Sequence, residues 1–315
     1  MRAPYVAHAQ IEPMSALADV QRGKTEIGTS TQNPFAAQDA AARVLNVPRE
    51  QVIVYPMMSG GAFGRKNLTD AVVEAVRLPK AIGRPVRFNW TRPEKFQFDQ
   101  PRPAMLVELS AGIDELAELA KMDPVSFRDR LLAKNPRMAA VMHRAVEMAG
   151  WKPGVGSTGR GFGIALNFTD GTYVAEVAQV EVHKATGQVM VKHVDAAVDC
   201  GLVVNPGAAA CQVEGAIVMQ GTSSTLNEQV LFDRGRVTNA SFAQYNPLHF
   251  LEAPSVNVAF VENKRLPMQG IGEPAVAPVS GAVSNAIYDA VGIRPRDLPF
   301  LPGKIMAALA AKGTP

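Results

Sequence analysis

The apolar residues that follow Tyr173 place the strongest constraint on how this chain can fold. The series of alternate positions is Val174, Glu176, Ala178, Val180 and Val182, and all of these residues except Glu176 are apolar. A period of two is typical of a β-strand with one buried face. Residues 184–188, Lys-Ala-Thr-Gly-Gln, then have the composition of a turn and lead into the apolar run 189–191. The sequence therefore predicts an antiparallel hairpin in this region.

Short helices and strands alternate over residues 1–110. In chain order, the predicted elements are a helix over residues 36–45, a strand over 51–56, a helix over 68–82 and a strand over 85–90. Asn33 and Pro34 suit the N-cap and first position of the first helix, and Gly83 suits the end of the second. A glycine-rich loop, residues 59–66, joins the first strand to the second helix.

Helical patterns dominate residues 113–150 and return near the C-terminus. The predicted elements are a helix over residues 113–132 with an interruption near residues 123–124, a helix over 138–149, a glycine-rich linker over 151–161, a helix from residue 208 to about 220, a hairpin over 233–236, and helices over 282–291 and 303–312. Together with the strands above, these elements predict an α+β fold with at least two subdomains.

Composition excludes several classes of function. The 315 residues are 47% apolar and 19% charged, which is typical of a globular protein with a sizeable core. A formal net charge of +3, without a long basic run, gives no case for nucleic acid or an anionic membrane. No apolar stretch reaches about 18 residues, and the first five residues lack an apolar signal core, so no membrane span or signal peptide is expected.

The side chains also give no support for a metal centre or a disulfide framework. Cys200 and Cys211 have the spacing of neither, and both are expected to be ordinary buried thiols. The five histidines are scattered along the chain, so a protein-ligated zinc ion is not predicted.

One carboxylate lies in a loop of unusual sequence. Glu273 belongs to the run Gly270-Ile271-Gly272-Glu273-Pro274, which leads into a long apolar helix. The two glycines permit backbone angles or close approaches that a side chain would forbid, and Pro274 stiffens the turn. No cation stands beside Glu273 in the sequence. Its carboxylate is therefore either solvated or held as a base in an apolar setting, and the residues alone leave both open.

The loop over residues 59–66 reads Ser-Gly-Gly-Ala-Phe-Gly-Arg-Lys. A loop between a strand and a helix can direct backbone N–H groups at an anion or a cofactor. Lys66 is followed by Asn67 rather than Ser or Thr, so the loop does not match a P-loop. A tight turn without any ligand is the alternative interpretation.

Four further polar residues have structural explanations of their own. Gln32 precedes Asn33 and can belong simply to a turn at the start of a helix. Gln212 can cap a helix or hold a ligand. His8 and Glu12 can form a structural pair or a catalytic one, and the structural pair is the simpler interpretation.

Taken in order, these motifs resemble the molybdenum-cofactor-binding large subunit of the xanthine dehydrogenase and aldehyde oxidase family, particularly the isoquinoline 1-oxidoreductase beta-subunit type. The resemblance is carried by residues 7–13, by 31–33 with 60–66, by 198–201 with 205–206 and 212–215, and by 272–274 with 284–287. With their flanks, these blocks cover nearly the whole chain. The ordered set is specific, although each block alone is weak.

The resemblance implies a role for each motif. By that resemblance, six residues bind the cofactor. The backbone groups of Gly61, Ala62, Phe63 and Gly64 would line the molybdenum centre. Gln32 would donate to an oxygen on molybdenum, and Gln212 would contact the pterin. Gln32 lies 31 positions before Phe63, which matches the family. Glu273 would be the catalytic base. No protein side chain would ligate the metal.

The resemblance further implies a reaction and its partners. An aldehyde or N-heteroaromatic carbon would be hydroxylated, with water as the oxygen source, on a molybdenum–pterin cofactor of the molybdopterin cytosine dinucleotide form. Electrons would pass to a small 2Fe–2S subunit, because this chain has no iron–sulfur cysteine set; a cytochrome c is a candidate acceptor. The alternative is a catalytically inactive remnant that binds only the cofactor or a partner subunit. A periplasmic and a cytoplasmic location both stay open.

The chain also departs from the family pattern. Two molybdopterin-binding portions with mixed sheets and packed helices are expected, residues 1–112 and 113–315, and both are incomplete. At residues 110–115, two blocks that a long segment separates in relatives are fused. Ala62 replaces a glycine, and Asn67 stands where xanthine-type enzymes have a substrate-binding glutamate, so xanthine is a poor candidate substrate.

Overall fold

A computed structural model of the chain describes residues 2–101, 105–106, 109–152 and 159–312. The chain forms two compact units. The first unit comprises Tyr5–Pro103 and Val230–Tyr245, and the second comprises Met1–Pro4, Ala104–Gln229 and Asn246–Pro315. The sequence-predicted division at residues 112 and 113 falls inside a helix of the second unit, and two cofactor-binding portions with that boundary stay a prediction.

The regular elements alternate between extended and helical segments. The strands are β1 Arg2–Ala3, β2 Ser15–Gln21, β3 Lys24–Thr29, β4 Val52–Pro56, β5 Val86–Asn89, β6 Met105–Leu106, β7 Arg160–Thr169, β8 Thr172–His183, β9 Gln188–Asp199, β10 Phe232–Asp233, β11 Arg236–Val237 and β12 Ser255–Phe260. The helices are α1 Pro34–Leu45, α2 Asp70–Ile82, α3 Arg92–Gln97, α4 Leu109–Leu119, α5 Pro124–Leu131, α6 Pro136–Ala149, α7 Pro206–Gly215, α8 Ser223–Leu226, α9 Ala277–Val291 and α10 Pro302–Lys312.

The first unit is built on a mixed sheet of order β4-β3-β2-β5. β2 pairs antiparallel with β3 and β5, whereas β3 and β4 are parallel, so α1 provides the crossover between them. As predicted, Asn33 caps α1, where its side chain accepts a hydrogen bond from the Ala36 N–H at 3.0 Å. α1 and α2 pack against this sheet in an apolar core that includes Ala18 of β2, Ile27 of β3 and Ala41 of α1.

The second unit is built on a sheet of order β12-β9-β8-β7. β7, β8 and β9 form an antiparallel meander, which confirms the hairpin predicted at residues 184–188, and β12 joins β9 in parallel. α9 and α6 cover opposite faces of this sheet. A Cβ at Gly163 would lie 2.1 Å from the Ala282 carbonyl oxygen, so only glycine allows α9 to approach β7 this closely.

The α+β class with mixed sheets and packed helices is confirmed, and several details differ from the predictions. The helix predicted over residues 208–220 is α-helical only to Gly215 and continues as a π-helical segment, Ala216–Thr222. Most of the predicted linker over 151–161 lies outside the described residues, and β7 begins at Arg160. Cys200 is buried as expected, but Cys211 is exposed because it lies on the solvent side of α7. None of the described helices is long and apolar enough to cross a membrane.

Candidate functional site

The glycine loop of the first unit adopts a conformation that most residues avoid. Gly61 and Gly64 have φ values of +90° and +88°, and Phe63 between them has a φ of +52°. A Cβ at Gly61 would lie 3.2 Å from the Phe63 ring. The loop therefore depends on glycine for both its backbone angles and its space.

The backbone donors of this loop have no acceptor among the described residues. Within the described parts of the chain, the N–H groups of residues 61–64 form no hydrogen bond, although the loop is only half-buried. Successive N–H groups around left-handed residues form a concavity that suits an anion or another electronegative group. The loop is therefore more than a self-satisfied turn.

A buried lysine holds this loop in place. The Lys66 side chain is 1% exposed and forms an ion pair with Glu12. Its ammonium group also donates to Ser30 Oγ at 2.9 Å and to Ser59 Oγ at 3.1 Å. The Glu12 N–H donates to the Gly60 carbonyl, and the Gly60 N–H donates to Glu12 Oε2, both at 3.0 Å. Three segments of the first unit thus meet at one buried charge.

The same network sets the charge of Glu12. Partial burial alone would raise the pKa of this carboxyl, but hydrogen bonds from Lys66 and from the Gly60 N–H outweigh burial and lower it. Glu12 is therefore ionised at neutral pH and balances the Lys66 ammonium.

Gln32 lies beside the glycine loop, as the motif spacing suggested. Its N–H donates to the Lys66 carbonyl at 3.0 Å, and Thr31 Oγ1 donates to the same oxygen at 3.2 Å. Its side chain is exposed and bonds to no other group in the described residues. The turn and helix start are confirmed, and the Gln32 amide is available to a ligand.

His8 does not pair with Glu12. Its N–H and ring Nδ1 both contact Asp99 Oδ2, at 2.6 Å and 3.3 Å. Burial alone would raise the pKa of Asp99, but the contacts with His8 and Lys95 lower it. Burial lowers the pKa of Lys95 to about 8. The structural interpretation of His8 holds, but the prediction that Glu12 is its partner is wrong. The true partner, Asp99, lies 91 positions away in the sequence, so the residues near His8 could not indicate it.

The Glu273 loop lies in the second unit and precedes α9 as predicted. The Glu273 carbonyl accepts a hydrogen bond from the Val276 N–H at 2.9 Å, which closes a turn before the helix. The side chain is exposed and, among the described residues, forms no hydrogen bond or ion pair. Of the two states that the sequence left open, the structure shows the solvated one.

The glycines around Glu273 do not have the role that their sequence suggested. Neither Gly270 nor Gly272 has a positive φ, and a Cβ at either position would meet no atom of the described residues within 4 Å. The interpretation that they are required for special angles or close protein contacts is therefore wrong for this chain. They leave open space beside the backbone of Glu273.

Side chains from the β7–β8 hairpin hold the Glu273 loop at both ends. Thr172 Oγ1 donates to the Gly270 carbonyl, and Asn167 Nδ2 donates to the Pro274 carbonyl, each at 2.8 Å. Sequence reasoning missed both residues. The Asp170-Gly171 pair at the tip of this hairpin is a strong turn signal and could have located it.

Gln212 does not cap its helix. The N-cap of α7 is Asn205, whose side chain accepts from the Ala208 N–H at 3.1 Å. Gln212 is exposed within α7, and its side chain bonds to nothing in the described residues. The preferred capping interpretation is wrong, and the ligand interpretation remains open for Gln212.

The block around Cys200 supports the segment that leads to Glu273. Arg137 binds Asp199 through two contacts of 2.7 Å, and Asp199 also accepts from the Gly201 N–H at 3.0 Å. Burial opposes the charge of Asp199, but the hydrogen bonds from Arg137 and Gly201 prevail and lower its pKa. The Cys200 carbonyl accepts from the Gln269 N–H at 2.9 Å. Arg137 therefore stabilises the turn on which the loop begins, a role that the sequence did not reveal.

Comparison with known proteins agrees with these motifs. Residues 1–151 match the family model of the molybdopterin cofactor-binding domain. The B subunit of nicotinate dehydrogenase from Pseudomonas putida is 27% identical over 98% of this chain and 34% of its own length. The beta subunit of isoquinoline 1-oxidoreductase from Brevundimonas diminuta is 24% identical over 96% of this chain and 49% of its own length. The chain is therefore similar to molybdenum-binding subunits of the xanthine dehydrogenase and aldehyde oxidase family.

The chain spans about a third to a half of the length of these family members. The match with nicotinate dehydrogenase extends over 412 positions, although this chain has 315 residues, so part of the relative has no counterpart here. The molybdenum-binding subunit PaoC of the Escherichia coli K12 aldehyde oxidoreductase is 28% identical over 92% of this chain and 37% of its own length.

Solved structures of the family share the fold. Quinoline 2-oxidoreductase from Pseudomonas putida 86 superimposes with a TM-score of 0.78 at 14% identity, over 98% of this chain and 75% of that chain. The Cu,Mo-CO dehydrogenase gives a TM-score of 0.82 at 11% identity, over 99% of this chain and 76% of that one. At these identities the likeness concerns the fold alone.

Proposed function

We propose that this chain binds a molybdenum–pterin cofactor and acts in a molybdenum hydroxylase that oxidises an aldehyde or N-heteroaromatic carbon. The observation that carries the proposal is the glycine loop, whose four consecutive N–H groups at residues 61–64 have no acceptor in the described protein. Gln32, bonded to the end of the same loop, adds an exposed amide.

The residues present fit such a cofactor. Backbone N–H groups and side-chain amides suit the oxygen atoms and phosphate of a molybdenum–pterin group, because these atoms are electron-rich. Gln32 and Gln212 are both exposed without protein partners in the described residues. The pterin holds the metal through its own sulfur atoms, so the family chemistry does not require a protein ligand set.

When bound, the cofactor supplies the two-electron oxidation, which no amino-acid side chain can perform. The chain contributes binding, orientation and proton transfer. The loop N–H groups and Gln32 stabilise negative charge on the group that they hold. Glu273 accepts, at a carboxylate oxygen, the proton released when oxygen from water is transferred to the substrate carbon.

The proposal extends to the cofactor form and the partner. We assign the molybdopterin cytosine dinucleotide form, which the resemblance implies. Electrons leave through a separate 2Fe–2S subunit, because two cysteines, one buried and one exposed, cannot ligate a cluster. The names of the relatives support this arrangement, since each describes a subunit of a larger enzyme. A cytochrome c is a candidate final acceptor.

The test uses the full chain, expressed under conditions that supply the cofactor. Molybdenum is measured by mass spectrometry and the pterin by fluorescence after oxidation. Turnover of aldehydes and N-heteroaromatics is followed with an artificial electron acceptor. Glu273→Gln is expected to keep the cofactor and to lose at least about a hundredfold in kcat, because general-base catalysis contributes roughly that much.

Glu262→Gln is the matched control, because Glu262 is an exposed carboxylate that pairs with Lys264 at the surface. It is expected to retain both cofactor and turnover. A wild-type chain that contains no molybdenum under these conditions would refute the proposed function. A Glu273→Gln variant with unchanged kcat would refute the role of Glu273 as the base.

A further inference from the structure

The tip of the β7–β8 hairpin contacts the Glu273 loop on both sides of the glutamate. Thr172 bonds to the Gly270 carbonyl, three residues before Glu273, and Asn167 bonds to the Pro274 carbonyl, one residue after it. Both bonds are 2.8 Å long and join a neutral donor to a backbone oxygen. The two bonds therefore bracket the glutamate.

The hairpin tip is well fixed. Asp170 and Gly171 have φ values of +53° and +81°, which are the angles of the tight two-residue turn that joins antiparallel strands. A Cβ at Gly171 would lie 2.9 Å from Gln269 Cδ, so the turn packs directly against the residue that precedes the loop. Thr172 is fully buried and Asn167 is half-buried.

The loop itself supplies little restraint. Gly270 and Gly272 have ordinary backbone angles and no close neighbours at the Cβ position. Within the described residues, the turn bond from the Val276 N–H to the Glu273 carbonyl is the one backbone bond inside the loop. What fixes the backbone around Glu273 must therefore come from outside the loop.

We propose that Asn167 and Thr172 are positioning residues, which set the backbone on either side of Glu273 and so aim its carboxylate. The inference rests on the proposed function of Glu273 as a base. Neither residue touches the reacting atoms in this scheme. A displacement of about 1 Å in a catalytic group can cost a hundredfold in rate, so two neutral bonds far from the chemistry can affect turnover strongly.

The first test needs no cofactor. Amide hydrogen exchange of residues 269–276 is measured in the full chain for wild type, Thr172→Val and Asn167→Ala. Exchange is expected to rise about fivefold to tenfold in both variants, which corresponds to the loss of one buried hydrogen bond. Thr172→Ser keeps the hydroxyl and is expected to restore protection.

Thr225→Val is the matched control. Thr225 is also buried in the second unit, and its hydroxyl donates to the Gly221 carbonyl at 2.7 Å. This variant loses the same kind of bond but is expected to leave exchange of residues 269–276 unchanged. Unchanged exchange in Thr172→Val and Asn167→Ala, or an increase spread evenly over the second unit, would overturn the inference.

The second test uses the cofactor-loaded protein. We expect Thr172→Val and Asn167→Ala to keep the molybdenum content and KM of the wild type but to lower kcat about tenfold or more. Both variants should also shift the acid limb of the pH profile of kcat/KM, because this limb reports the ionisation of the base. Thr172→Ser should return the limb to its wild-type position. A shift in KM alone would contradict positioning. If the wild type binds no molybdenum, the proposed function fails, whereas the exchange result still decides whether these residues fix the loop.

Discussion

Two loops carry the residues proposed to act on the cofactor, and they are held by opposite kinds of interaction. The glycine loop of the first unit is fixed by a buried charge, the Lys66 ammonium, which meets Glu12 and two hydroxyl groups. The Glu273 loop of the second unit is fixed by neutral hydrogen bonds from Thr172 and Asn167. Two glycine-containing loops of one chain can thus owe their order to forces that differ in energy and in their response to pH.

The energetic contrast follows from desolvation. A buried ammonium is costly unless a carboxylate balances it, so removal of that partner leaves an uncompensated charge. A neutral hydrogen bond to a backbone carbonyl contributes only about 0.5–1.5 kcal/mol net. Removal of one partner should therefore cost more in the glycine loop, which is proposed to bind the cofactor, than in the loop that carries the proposed base.

The largest effect is expected for Glu12→Gln. This change leaves the Lys66 ammonium, which is 1% exposed, with neutral partners only, so no carboxylate balances its charge. The free energy of unfolding of the first unit should fall by about 3–5 kcal/mol. The measurement is urea unfolding followed by the fluorescence of Trp90, which belongs to the first unit, in a Trp151→Phe background that removes the only other tryptophan.

Two variants show whether charge is the cause. Adding Lys66→Met to Glu12→Gln should recover part of the loss, because no buried charge then remains. Glu26→Gln breaks the exposed ion pair with Lys24 in the same unit and should leave the free energy of unfolding nearly unchanged, because solvent screens exposed charges. The pKa of Glu12 is lowered in the folded state. The difference in free energy of unfolding between wild type and Glu12→Gln should therefore be largest above the ordinary glutamate pKa. It should shrink as the pH falls through the lowered pKa of the folded state.

The second unit contains the opposite case, a buried carboxyl without a cation. Glu176 on β8 is fully buried, and neither of its oxygens has a hydrogen-bond partner among the described residues. Burial raises its pKa well above the ordinary value of 4.5. Between the ordinary pKa of the unfolded state and the raised pKa of the folded state, the folded protein holds a proton on Glu176 that the unfolded chain releases. The free energy of unfolding therefore falls as the pH rises through this range.

Glu176→Gln should therefore stabilise the second unit at neutral pH, because the amide has no proton to lose. The advantage should vanish below about pH 4.5, where Glu176 is protonated in both states. Trp151 fluorescence in a Trp90→Phe background reports unfolding of this unit. A constant difference between Glu176→Gln and wild type across the pH range would exclude ionisation as the cause.

Local signals in the sequence located much of this fold. The residues that begin and end helices, such as Asn33, Gly83 and Gly292, act through bonds to neighbours within a few positions, so their patterns could be recognised directly. The hairpin between β8 and β9 was predicted for the same reason. The motif residues Gln32 and 61–64 could be placed together because their spacing matched a known family.

Long-range partners could not be predicted in the same way. Lys66 and Glu12 are 54 positions apart, and Thr172 and Gly270 are 98 apart, so nothing in either local sequence identifies the other. β12 was missed because it is a short strand that joins the sheet through parallel pairing with the distant β9. The sequence therefore indicated which residues form the candidate site, whereas the forces that hold them required the structure.

The smallest effect separates the glycines of the two loops. Gly61→Ala should destabilise the first unit by about 1–2 kcal/mol, because alanine is disfavoured at a φ of +90° and its Cβ would lie 3.2 Å from the Phe63 ring. Gly272→Ala should change the stability of the second unit by no more than about 0.5 kcal/mol, because Gly272 has neither a positive φ nor a close neighbour. Trp90 and Trp151 fluorescence measures each effect in its own unit. If Gly272→Ala lowers the molybdenum content while stability is unchanged, the cofactor, and not the fold, needs the open space beside Glu273. Equal losses of stability in Gly61→Ala and Gly272→Ala would instead show that the two loops are constrained alike.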